Sequence, residues 1–371
     1  MIASPGVLIE RARERTQLSD LGPDGWQEGL EHLVEAVRTD VGDDPATIAS
    51  IEEIVVGRLV TRLRIEDWCA QHADEAGPPI EGPLVIVGLA RTGTTALHYL
   101  LAADPRFRYL RRWEVADPVP PPDLATEAED PRRAALTRRS DVRHIATVDG
   151  PVEDGPIHGL HFRHGEAWLP VPSYTKWWRT ADYASAFRYH ERFLRLLHSR
   201  RPPYYWLLKY PNYLFQLREV VEQYPNARFL FTHRDPVAAL PSTCSTVLAA
   251  RNQRVPTWSP DPDAFGREML EYFVESMQRA IAARSILGEH RFFDVGQHEI
   301  ETWPVETAPR IYAFAGLELD DEVRGAMAQW AAENRRGSRG EHRYCAADFG
   351  LTDEGIREAF GDYLERFGAF C

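Results

Sequence analysis

The sequence predicts an α/β fold of three layers around a mostly parallel central sheet, and three observations point to it. Four short apolar runs, Leu84 to Val87, Tyr205 to Leu208, Arg228 to Thr232 and Arg291 to Val295, read as buried strands. Helical patterns separate them, as a parallel sheet covered on both faces requires. The first run leads directly into Gly88-Leu89-Ala90-Arg91-Thr92-Gly93-Thr94-Thr95 and then into Ala96-Leu97-His98-Tyr99-Leu100-Leu101. Strand, glycine-bearing loop and helix in that order make the domain P-loop-like.

Taken in order, residues 7 to 75 carry apolar positions three and four apart (Leu30, Leu33, Val34, Val37; Ile48, Ile51, Val55, Leu59) and read as an N-terminal helical segment. Gly77-Pro78-Pro79 ends it, so the chain divides into a helical segment over 1–78 and the main domain over 79–371. More than a hundred residues separate the first two strands, with the proline run Pro118 to Pro122 and the aromatic stretch Trp168 to Trp178. An insertion around 111–200 is where a substrate pocket would grow, with His158, His161, Trp168, Tyr174 and Trp177 as its candidate lining. The third strand runs into Thr232-His233-Arg234-Asp235-Pro236, a helix starts at about Pro236, and Ser242 lies eight positions after Arg234. An arginine at a strand end and a hydroxyl two turns along the next helix can close on one phosphate. From Pro304 onward the pattern is helical, broken by the polar segment Asn334 to Arg343.

The loop's two glycines stand at Walker A spacing, but Thr94 holds the lysine position, so the group that reaches a γ-phosphate is missing. What remains is a helix N-terminus whose amides, with the hydroxyls of Thr94 and Thr95, suit a tetrahedral oxyanion such as phosphate or phosphosulfate. A net charge of -13 argues against a broad nucleic-acid surface, so an anionic ligand must be gripped by local arginines. With 10 Trp and 14 Tyr, an aromatic-lined cavity is expected. Cys69, Cys244, Cys345 and Cys371 are scattered without zinc or disulfide spacing, which fits a reducing cytoplasm. The N-terminus turns charged before any signal-length apolar stretch, and no apolar run reaches the roughly 18 residues of a membrane span. His158, His161 and His164 recur every third residue but are joined only by Glu153, Asp154 and Glu166, so no metal is expected.

At these residues the chain resembles the sulfotransferases that use 3′-phosphoadenosine-5′-phosphosulfate (PAPS). It is most similar to the bacterial branch with Pro-Arg-Thr-Gly-Thr-Thr loops, here Ala90-Arg91-Thr92-Gly93-Thr94-Thr95. Trp113-Glu114 before the proline run, Leu208-Lys209-Tyr210-Pro211 and His342-Arg343-Tyr344 match further motifs of that branch. The likeness covers residues 84 to about 366. It implies that Arg91, Thr92, Gly93, Thr94 and Thr95 hold the 5′-phosphosulfate, that Arg234 and Ser242 hold the 3′-phosphate, and that Arg336 and Gly337 cover that phosphate from the C-terminal side. Two departures stand out. Asn212 and Tyr213 occupy the place where many relatives have a histidine, and Ala96 replaces the tryptophan that stacks on adenine in animal cytosolic members.

The implied reaction transfers a sulfuryl group to a hydroxyl of a small-molecule, lipid or glycan acceptor and releases 3′-phosphoadenosine-5′-phosphate (PAP). Such a step needs positioning, a base and positive charge at the departing phosphate. Arg91 and Lys209 are the candidate cations, Lys209 because it ends the second strand at the loop's edge of the sheet. Glu114, beside Trp113 in a water-excluding pocket, is the candidate base with a raised proton affinity. The alternatives are an ATP-dependent phosphotransferase and an inert nucleotide-binding protein. The oligomeric state is left open, a homodimer included.

Overall fold

The computed structural model describes residues 1–136, 147–165, 167–201, 205–334 and 345–371. Its centre is a five-stranded sheet of β1 (Leu84–Gly88), β2 (Phe107–Arg108), β3 (Tyr205–Lys209), β4 (Arg228–His233) and β5 (Phe292–Gly296) in the order β2-β3-β1-β4-β5. Every pairing is parallel. Four strands fall on the predicted apolar runs. The fifth, β2, is a two-residue edge strand paired with Tyr205 and Trp206, too short to leave an apolar run in the sequence.

Both faces of the sheet are covered, which is why its strands read as unbroken apolar runs rather than alternating ones. Leu84, Ile86, Leu207 and Leu230 pack on one face against Leu97, Leu100 and Leu101 of the helix Thr94–Leu101 and against Ile311 and Met327 of two later helices. Val85, Val87, Leu208, Phe229 and Phe231 face the other way, into a larger core that continues into the N-terminal helices Gln27–Ala36 and Pro45–Gln71 through Leu30, Leu33, Val55, Leu59 and Leu63.

Specific polar contacts fasten that N-terminal segment to the body. The buried Arg62 guanidinium donates to the carbonyls of Leu21 (2.8 Å), Pro23 (3.0 Å) and Leu160 (3.3 Å) and lies 4.0 Å from the Tyr189 ring centre. A buried arginine is tolerated only with its donors met in this way. Trp177 stacks on His32 at 4.3 Å, and the Tyr174 hydroxyl donates to the Phe162 carbonyl at 2.8 Å. These two aromatics, expected in a substrate pocket, instead dock the helix Pro172–Trp178 among its packing neighbours.

β1 sits at the switch point of the topology. The chain leaves it toward β2 and β3 on one side and reaches β4 and β5 on the other, so a crevice opens at the carboxyl ends of β1, β3 and β4.

Candidate active site

The phosphate loop is pinned to β4. Gly88 has φ +152°, and a Cβ there would collide with the side chain and carbonyl of Thr232. Thr92 is buried; its hydroxyl donates to the Leu89 carbonyl at 2.7 Å and lies 2.6 Å from the Thr232 hydroxyl. Its side chain is therefore spent on the loop, and only its backbone is left to meet a ligand. Gly93, at φ +91°, begins the helix Thr94–Leu101 with no side-chain cap, an anion-binding arrangement once arginines stand beside it. Thr94 is buried in the first turn, and the Thr95 hydroxyl accepts from Lys209 Nζ at 3.2 Å.

Arg91, Arg234 and Ser242 come together at this edge. Arg234 Nη1 donates to the Arg91 carbonyl at 2.9 Å, and Arg91 Nε donates to Ser242 Oγ at 3.2 Å. Lys209 ends β3 with its side chain buried, and its Nζ meets Glu153 Oε1 at 2.6 Å. The Lys209 carbonyl accepts from the Asp154 N–H at 3.0 Å, which ties the 153–154 segment to the strand end. Arg336 and Gly337 lie outside the described residues.

A cavity of about 180 Å³ begins at Glu153 of this pair. Its wall includes Arg91, Thr95, Glu153 and a largely apolar set with Trp168, Val247, Met269 and Phe273. One side carries a connected run of polar groups: the Tyr272 hydroxyl meets Asn212 Oδ1 at 2.9 Å, Asn212 Nδ2 meets the Tyr210 hydroxyl at 3.0 Å, and that hydroxyl meets His164 Nδ1 at 2.6 Å. Asn212 thus carries this polar run between Tyr272 and Tyr210, and His164 enters it from another segment. Of the five residues expected to line a pocket, Trp168 does so.

Glu114 is not placed to act as the base. It is fully buried, away from the cavity, and each oxygen is occupied: Oε1 accepts from Arg108 Nη2 (2.7 Å), Arg111 Nε (2.8 Å) and Arg111 Nη2, and Oε2 from Arg108 Nη1 (2.9 Å) and the Arg111 N–H (3.1 Å). Burial opposes its charge, yet Arg108 and Arg111 together hold the carboxyl below its usual range, the opposite of the shift a base near neutrality needs. The carboxylate that does face Lys209 is Glu153. Sequence reasoning met it only as a neighbour of the histidines, because no motif marks it.

His158 and His161 lie behind the site. Burial holds His158 well below its usual pKa and pushes His161 down to about 3. His158 belongs to a buried cluster centred on the Tyr213 hydroxyl, which donates to Asp154 Oδ2 at 2.9 Å, with His158 Nε2 at 3.2 Å and His190 Nε2 at 3.3 Å. His190 Nδ1 in turn lies 2.7 Å from the Tyr224 hydroxyl. Asp154 is pushed up to about 8, chiefly by burial.

Nucleotide triphosphate chemistry is poorly served here: Thr94 replaces the phosphate-loop lysine, and Asp294, the acidic residue on β5, is engaged by His233 at 2.9 Å and Arg284 at 2.6 Å. The fold and the site together define a transferase on a P-loop-like sheet. A profile described as the sulfotransferase family matches residues 83–321, and the chain belongs to that family. The crystal structure of sulfotransferase STF9 from Mycobacterium avium superposes with a TM-score of 0.91 at 30% identity, covering 99% of this chain and 97% of that one. Sulfotransferase STF1 from Mycobacterium tuberculosis gives a TM-score of 0.84 at 28% identity, covering 97% of this chain and 99% of that one. A curated relative, the omega-hydroxy-beta-dihydromenaquinone-9 sulfotransferase Stf3 of Mycobacterium bovis, is 24% identical over 334 residues, 85% of this chain and 79% of the relative. Among the described residues, no helix is long and apolar enough to cross a membrane, and no group of three or more His, Cys, Asp or Glu could hold a metal ion.

Proposed function

We propose that this sulfotransferase moves a sulfuryl group from PAPS to a hydroxyl on an apolar acceptor, with Glu153 as the base. The observation that carries the reading is the Lys209–Glu153 pair, which touches the phosphate loop through Thr95 on one side and opens the apolar cavity on the other. The donor site fits on local grounds: an uncapped helix N-terminus for the 5′ end, and Arg234 with Ser242 for the 3′-phosphate. When bound, PAPS supplies an activated sulfuryl group and a phosphate leaving group.

The protein's own residues then have separate tasks. Glu153 takes the proton of the acceptor hydroxyl as its oxygen bonds to sulfur and the sulfur–oxygen bond to the 5′-phosphate breaks. Lys209, Arg91 and the loop amides offset the charge left on that phosphate, which preorganised donors do at no reorganisation cost. The cavity walls orient the acceptor and exclude water. Trp168, Val247, Met269 and Phe273 favour a hydrocarbon skeleton over a glycan, and a volume of about 180 Å³ admits one ring or a short chain end. The name of the relative from Mycobacterium bovis, a sulfotransferase of a hydroxylated menaquinone, supports an acceptor of that chemical kind.

Isothermal titration with PAP, ADP and ATP with Mg²⁺, followed by transfer of labelled sulfate from PAPS to long-chain primary alcohols and to monosaccharides, tests the proposal. Preference for PAP and labelling of the alcohols is expected. Preference for ATP overturns the donor assignment, and labelling of sugars alone overturns the acceptor class.

A further inference from the structure

Arg234 is gripped from behind by a part of the chain more than a hundred residues away, and we propose that the helix Gly361–Phe367 positions it through the Tyr363 hydroxyl, setting the selectivity for a 3′-phosphorylated nucleotide. The inference rests on the donor reading given above. Its physical basis is a directional run of hydrogen bonds ending on the Arg234 backbone.

The direction is set by Asp294. Despite its burial, His233 and Arg284 hold its pKa down to about 2, so it can only accept. His233 Nε2 lies 2.9 Å from Asp294 Oδ1 and must donate to it, while Arg284 clamps both oxygens at 2.6 and 2.8 Å. A buried neutral imidazole with its proton on Nε2 offers Nδ1 as an acceptor, and Tyr363 O–H stands 3.2 Å away to donate. The phenol oxygen in turn accepts the Arg234 N–H at 3.4 Å and lies 3.4 Å from the Arg234 carbonyl oxygen.

Packing holds the relay in place. The His233 ring is stacked between Phe231 at 4.7 Å and Phe367 at 4.5 Å, with Phe370 at 5.4 Å. On the other side of Arg234, Asp235 faces Arg357 at 3.7 Å and caps the helix that carries Ser242 through the Val237 N–H at 2.9 Å. Residues 233, 234 and 235 are therefore each tied to a C-terminal helix. At its far end the Arg234 guanidinium reaches the phosphate loop through the Arg91 carbonyl at 2.9 Å. A guanidinium binds phosphate well only in a fixed orientation, so slack in this backbone falls first on the 3′-phosphate.

The test is titration of the full chain with PAP and with ADP, which lacks the 3′-phosphate. In Tyr363→Phe the Kd for PAP should rise about tenfold, the worth of one hydrogen bond, while that for ADP stays within about twofold. Equal weakening of both nucleotides would make Tyr363 a packing residue only, and an unchanged PAP affinity would remove the link; either result overturns the inference while the wild-type preference for PAP leaves the donor reading standing. A wild-type protein without that preference overturns both. Asp294→Asn, which releases the tautomer of His233 without touching Tyr363, should show the same selective loss, and supplies the answer if the tyrosine variant does not fold.

Discussion

Replacing Asp154 with Asn should stabilise the protein progressively as the pH rises. Asp154 is 1% exposed, accepts one hydrogen bond from Tyr213 through Oδ2, and leaves Oδ1 without a partner among the described residues. Burial, with Glu153 adding to it, raises its pKa from 3.8 to about 8. Below about pH 4 the carboxyl is protonated in both the folded and the unfolded chain and contributes no difference. Between about pH 4 and 8 the unfolded chain releases a proton that the folded chain keeps, so stability falls by up to about 1.4 kcal/mol per pH unit and levels off above. From pH 5 to pH 8 the loss is about 4 kcal/mol. Asn carries no such linkage. Its amide keeps the shape and the Tyr213 contact, and whatever the unpartnered Nδ2 costs is the same at every pH.

Because both proteins share every other titrating group, the difference between them isolates residue 154. A chain of 371 residues melts with an entropy of about 0.8 kcal/mol per kelvin, so 4 kcal/mol is worth about 5 °C. Melting curves of wild type and Asp154→Asn, paired in the same buffers from pH 5 to pH 9, should show the gap in Tm widening by about that amount up to pH 8 and then holding. A gap that is constant across the series would mean that the carboxyl is ionised in the folded state throughout, and the buried neutral cluster around Tyr213 would have to be abandoned.

Four further outcomes separate the roles of the charged groups. Glu153→Gln should lower kcat by roughly 10²- to 10⁴-fold, the usual worth of a general base, with PAP binding retained; near-normal turnover would exclude it as the base. Glu114→Gln should cost about 3 kcal/mol or more in a urea titration, since Arg108 would be left as an uncompensated buried charge and Arg111 would keep only Glu127. Its kcat per folded molecule should hold, and a selective loss of turnover at unchanged stability would restore Glu114 to the mechanism. Lys209→Ala should reduce turnover far more than PAP affinity, measured by single-turnover kinetics and titration; the reverse pattern would make it a binding residue. Arg234→Ala should weaken PAP by roughly ten- to a hundredfold with ADP little changed, and an unchanged PAP affinity would move the 3′-phosphate elsewhere.

The fold was legible because its determinants are local. Parallel strands buried on both faces must be apolar along their whole length, and that signal located β1, β3, β4 and β5 to within a residue or so. β2 left no trace because two residues at an edge need only backbone pairing, supplied here by Tyr205 and Trp206. The phosphate loop was equally readable, since Gly88 is required by its close approach to Thr232 and Gly93 by its left-handed turn, constraints that act on single positions. The aromatic stretch from Trp168 to Trp178 misled for the complementary reason: Trp168 faces a cavity while Tyr174 and Trp177 face helix and loop packing, and no residue-type signal separates an aromatic ring against a ligand from one against a core.

The two glutamates show where sequence stops deciding chemistry. Glu114 stands in a recognisable motif beside a tryptophan and two arginines, whereas Glu153 stands in an unremarkable acidic pair. What distinguishes them is the number of donors that converge on each carboxylate. Five donors from Arg108 and Arg111 close around Glu114, which fixes the turn after β2 and leaves no lone pair for a substrate proton. Glu153 meets Lys209 alone through Oε1 among the hydrogen bonds described, at the mouth of a cavity, with its backbone neighbour anchored by Asp154 to the end of β3. A carboxylate saturated by guanidinium groups builds structure, and one met by a single ammonium at a cavity wall keeps acceptor positions for a ligand. The donors of Glu114 lie only three and six positions away, whereas Glu153 and Lys209, 56 positions apart, meet only at one sheet edge, so the place of Glu153 belongs to the topology and not to any motif.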